Sequence, residues 1–78
     1  MKLQTRIEKA VNGDRNSRRW LANYFAGVSE DIPPYGDGRE KELLAACAAF
    51  EIKPLRTWRD TAGALASHCR WLIERDEA

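Results

Sequence analysis

The sequence predicts an all-α fold: a compact single domain, residues 1–78, of four helices that closes with an antiparallel helical hairpin. Three observations carry the prediction. In the last third, apolar or small residues fall at Leu55, Trp58, Ala62, Leu65, Cys69 and Leu72, in alternating steps of three and four that trace one face of a helix. A strand would need period two instead. Glycine and proline at Gly13, Gly27, Pro33, Pro34, Gly36 and Pro54 divide the chain into segments of helical length.

The first helix is expected over about 2–12, where Leu3, Ile7 and Val11 recur every fourth residue with Ala10 beside them. Asn12-Gly13 ends it, because glycine readily takes the left-handed conformation that closes a helix. Asp14, Asn16 or Ser17 then caps a second helix over 15–26, with Trp20, Leu21, Tyr24 and Phe25 as its apolar residues and Gly27 as its stop. One helix kinked at Gly13 is the alternative. An ordered loop follows over 27–37, since Pro33-Pro34 cannot continue a helix. Ile32 and Tyr35 are expected to pin it.

Asp37 and Glu40 have capping-box spacing and open a third helix over 38–51, with Leu43, Leu44, Cys47 and Phe50 on one side. The last helix is expected over 54–75, starting either at Pro54, which suits a first turn, or at Thr57, which has Asp60 three residues on. A short turn between these helices sets them antiparallel. Phe50 would then face Leu55, and Trp58 would lie buried against Cys47, which makes Trp58→Ala the most damaging truncation.

Composition narrows the class. With 44% hydrophobic and 32% charged residues, the chain is neither disordered nor membrane-like. The net charge of +1 is unevenly placed: residues 1–28 carry +4, residues 29–53 carry −3, and the remainder balances. A polarised surface of this kind does not demand unselective nucleic-acid binding. The first residues lack the apolar region of a signal peptide, and no run approaches a membrane span. A cytoplasmic location without membrane contact is therefore expected, and buried, reduced Cys47 and Cys69 suit it.

No catalytic, cofactor-binding or metal-ligating motif is visible. His68 is the sole histidine, and its neighbour Cys69 points about 100° away on a helix, so the two do not form a nucleophile–base pair. Two cysteines 22 residues apart with one histidine match no zinc pattern, and no glycine loop cradles phosphate. The sequence reads as a non-enzyme without cofactor or metal.

Binding is the remaining class, and three groups of residues are candidates. Gly63, Ser67 and Trp71 lie four apart and off the apolar seam of the last helix, where small residues admit another backbone, that of a partner or of the chain's own first or second helix, and a tryptophan can anchor it. Arg15, Arg18 and Arg19 interleave with Trp20 and Tyr24, a mixture that suits nucleic acid and is equally common at protein interfaces. Finally, Leu44–Trp58 resembles a helix-turn-helix, with Ala45 where that motif takes a small residue and Phe50 and Leu55 where it takes apolar ones. The resemblance implies that Lys53, Arg56 and Arg59 contact nucleic acid.

The expected function is a small protein-binding module that docks on a larger cytosolic partner and modulates or inhibits it. Phage-borne and mobile-element inhibitors of host factors, anti-CRISPR proteins among them, have this size and lack of chemistry. A homodimer is a second expected association. The alternative is a helix-turn-helix transcriptional regulator.

Overall fold

The computed structural model describes residues 2–77, and they form four helices: α1 Leu3–Val11, α2 Arg15–Asp31, α3 Glu40–Phe50 and α4 Trp58–Glu77. The fold is all-helical, with no strand among the described residues. Helices α2 and α4 pack along each other as the central pair, while α1 lies against α2 and α3, and α3 also touches α4. Two helices thus form the spine that the sequence predicts for the last one alone.

Separate first and second helices follow from local chemistry. Gly13 is left-handed at φ +104°, and the Asp14 carboxylate accepts the Ser17 backbone N–H at 2.9 Å, which caps α2 and satisfies one of its unpaired donors.

The predicted stop at Gly27 does not occur, and the expected loop over 27–37 shrinks accordingly. Helix α2 runs one turn further, to Asp31. An interior glycine costs a helix only about 1 kcal/mol, and the extra turn buries Val28 and Ile32 in phase with Leu21 and Phe25, which outweighs that cost. Pro33 sets the true end, holding Ile32 extended at φ −72°, ψ 129°. Ile32 alone anchors the following segment, because Tyr35 is 86% exposed.

The Asp37 capping box does not form. The Asp37 carboxylate instead binds the Arg39 guanidinium, with Nε at 3.0 Å from Oδ1, and this contact holds its pKa below the ordinary value. Glu40 folds back to accept the Gly38 N–H at 2.6 Å. Gly36, just before Asp37, is left-handed at φ +82°, a conformation that favours glycine. The third helix consequently starts at Glu40, two residues later than predicted.

The fourth helix starts at Trp58 behind a Thr57 cap, not at Pro54. Thr57 Oγ1 accepts the Asp60 N–H at 3.0 Å. The buried Thr61 hydroxyl donates to the Thr57 carbonyl at 2.8 Å and accepts the Leu55 N–H at 3.0 Å, so it ties the incoming segment to the first turn. Glu51, left-handed at φ 58°, closes α3. Residues 51–57 therefore lie outside both helices. Leu55 drops off the predicted seam and is 52% exposed. Ala62, Leu65, Cys69 and Leu72 keep to it and are buried.

The core gathers Ile7, Leu21, Phe25, Ile32, Leu43 and Leu65, each at most 1% exposed. Trp58 is only partly buried and packs at the core's edge.

Candidate interaction surfaces

The first surface lies where α4 passes the end of α3. Phe50 packs edge-to-face on His68 at 5.4 Å, while Leu55, its expected partner, is half exposed. His68 in turn lies against Trp71 at 5.7 Å, and the Arg75 guanidinium sits over the Trp71 ring at 5.1 Å. Trp71 is nonetheless 50% exposed. Beside this ladder is an open depression of about 390 Å³, with Val11, Phe50, His68, Leu72 and Arg75 among its walls. Partial burial pushes the His68 pKa below its ordinary value, and the nearby Arg18 charge adds to the shift. Near neutral pH the imidazole is therefore uncharged and acts as an aromatic surface.

The structure separates Trp71 from the small residues expected to share its groove. At Gly63 an added Cβ would lie 3.3 Å from Ser29 Oγ of α2, and that hydroxyl donates to the Arg59 carbonyl at 3.0 Å. The space over Gly63 is filled from within by α2. Ser67 is exposed and accepts a long 3.5 Å contact from Arg70.

The second surface is carried by α2. Trp20, 38% exposed, stacks on Tyr24 with ring centres 5.1 Å apart and planes 11° from parallel. The Arg6 guanidinium of α1 covers the indole at 4.7 Å, an arrangement favoured by the ring quadrupole. Tyr24 donates to Glu42 of α3 at 2.6 Å. Burial and that carboxylate raise the phenol to about 12. These aromatics link three helices and still leave Trp20 partly exposed.

Of the three predicted arginines, Arg18 is withdrawn from this surface. It is 7% exposed, donates from Nε to the Ala10 carbonyl at 2.8 Å and pairs with Asp76. Arg15 and Arg19 are exposed on α2.

The helix-turn-helix residues are exposed but differently arranged. Lys53 and Arg56 lie on the non-helical segment, and only Arg59 stands on a helix. The recognition helix implied by the resemblance is therefore absent over 52–57, because the Thr57 cap and Thr61 hydroxyl fix the helix start further on.

Cys47 and Cys69 are both buried and free, and burial lifts the Cys69 thiol to about 11, far from reactive thiolate character. Among the described residues no three of His, Cys, Asp and Glu group as a metal site, and no helix is long and apolar enough to cross a membrane. Comparison with protein-family models, curated proteins and solved structures finds no match.

Proposed function

We propose that the chain is a non-enzymatic protein-binding module that docks on a larger protein through the Trp71 surface and thereby modulates or inhibits it. The observation supporting this reading is the half-exposed indole, steadied by Arg75 and His68, two residues that also line the open depression beside it. An aromatic already held in position loses little freedom on binding, and tryptophan and arginine often dominate interface energies. A phage- or mobile-element-type inhibitor, anti-CRISPR-like proteins included, would act in this manner by covering a working surface of its target.

The test is comparative capture. Proteins retained from the native host by the wild-type chain, but not by Trp71→Ala, are purified and their affinities measured directly. Loss of tenfold or more, about 1.4 kcal/mol, with the variant's helicity unchanged is the expected result. Equal affinity for the variant overturns the assignment. If the retained material is nucleic acid that falls away steeply with salt, and truncating Lys53, Arg56 and Arg59 abolishes it, the transcriptional-regulator alternative holds instead.

A further inference from the structure

We propose that the outward face of α2 is a self-association surface, on which a second copy of this chain docks antiparallel about a two-fold axis near Asn23. This surface is separate from the Trp71 depression and does not depend on it.

Along α2, Asn16, Trp20, Asn23, Gly27 and Glu30 recur in steps of four, three, four and three, and all are exposed. That spacing is a helix-pairing seam, lying opposite the buried residues Leu21, Phe25 and Val28. Gly27 sits in its middle with nothing within 4 Å of an added Cβ, so no contact inside the chain calls for glycine there. An open groove runs beside it, lined by Asn23, Tyr24, Gly27, Asp31 and Arg39. Antiparallel pairing about Asn23 sets Trp20 of one copy opposite Gly27 of the other, so that the exposed part of the indole meets this groove.

Charge identifies the occupant as a second copy. Arg19 stands near the beginning of α2 and Glu30 in its last turn, and both are exposed. Antiparallel pairing brings Arg19 of each copy beside Glu30 of the other. Arg19 and Glu30 fall on the same flank of the seam, and among the described residues neither forms an ion pair. In a two-fold pair with this register they lie within about 3 Å of the same height along the axis. The interface is self-complementary, as two-fold symmetry requires.

The test is the solution mass of the full chain by sedimentation equilibrium, starting from a monomer of 8.9 kDa. The wild type is expected to reach twice that mass reversibly with concentration, and a chain that stays monomeric up to about 1 mM overturns the proposal. Arg19→Glu and Glu30→Arg are each expected to weaken self-association tenfold or more, because like charges then face each other twice. Mixed one to one they restore it, since both cross-pairs in the mixed dimer have opposite charge. Failure of the mixture to recover, or full association of either variant alone, rejects this register. Gly27→Gln keeps helix propensity and fills the groove, so it is expected to remain folded and monomeric. A Gly27→Gln chain that dimerises like the wild type excludes this face.

Discussion

Arg18 Nε donates to the Ala10 carbonyl at 2.8 Å, so a side chain from the first turn of α2 closes the last turn of α1. The Ala10 carbonyl also accepts the Gly13 N–H at 3.2 Å, and the guanidinium adds a charged donor, stronger than a neutral one. The same guanidinium pairs with Asp76 near the end of α4, joining three helices at one corner of the molecule.

Arg18→Ala should therefore destabilise the fold by about 2 kcal/mol, in the range for hydrogen bonds to charged groups. Arg18→Lys should recover only part, because a single ammonium does not reproduce the guanidinium fork. Asp76 is about half exposed, so Asp76→Asn should cost under about 1 kcal/mol. Denaturant titration of the three variants checks the order. Equal losses for Arg18→Ala and Asp76→Asn would mean that the ion pair, not the helix closure, carries the effect.

Phe25→Ala should be more damaging than Trp58→Ala, reversing the order the seam suggests. Phe25 is 0% exposed and the largest of the fully buried side chains, so truncation should cost about 3–5 kcal/mol. Trp58 sits at the core's edge in the first turn of α4, and its loss should cost roughly 1–2 kcal/mol, in proportion to its partial burial. Thermal or denaturant unfolding ranks the two.

The same pair shows how far the fold was legible in the sequence. Apolar spacing located all four helices, and four members of the last seam, Ala62 to Leu72, are buried as the period requires. The errors sit at ends. Gly27 reads as a stop, but helix propensity is a small term beside the burial of Val28 and Ile32. Leu55 continues the seam by count alone, because the bonds that Thr57 and Thr61 make across the turn are invisible to periodicity. Of the candidate contact residues, Trp71, Trp20 and Arg19 are on the surface. Arg18 is indistinguishable from Arg19 by type, and only the position of the α1 terminus turns it inward.

Tyr24 should titrate late. Burial, reinforced by the Glu42 carboxylate, raises its pKa from 10.0 to about 12. A raised folded-state value means that the neutral phenol is favoured in the fold. Its contribution is fully present below pH 10 and is lost as pH rises through about 12. Phenolate absorbance should show one late-ionising group that disappears in Tyr24→Phe. In Glu42→Gln its midpoint should fall toward the ordinary value, since both the charge and the carboxylate acceptor are removed. An unchanged midpoint in Glu42→Gln would assign the whole shift to burial.

Two interior glycines should respond oppositely to enlargement. At Gly27 nothing lies within 4 Å of a new Cβ, so Gly27→Ala gains helix propensity without a clash and should stabilise the chain by up to about 1 kcal/mol. At Gly63 the new Cβ meets Ser29 Oγ at 3.3 Å, and that oxygen is held by its bond to the Arg59 carbonyl. Moving it sacrifices a hydrogen bond worth about 1 kcal/mol, which cancels the propensity gain and leaves Gly63→Ala near neutral. Gly63→Leu drives α2 and α4 apart along the spine of the fold and should destabilise by about 1–3 kcal/mol, as overpacking does. Thermal unfolding of all three variants at a concentration low enough to keep the chain monomeric compares them on one scale. A well-tolerated Gly63→Leu would show that α2 yields at Ser29, and the close approach of the two central helices would then not be what requires glycine at position 63.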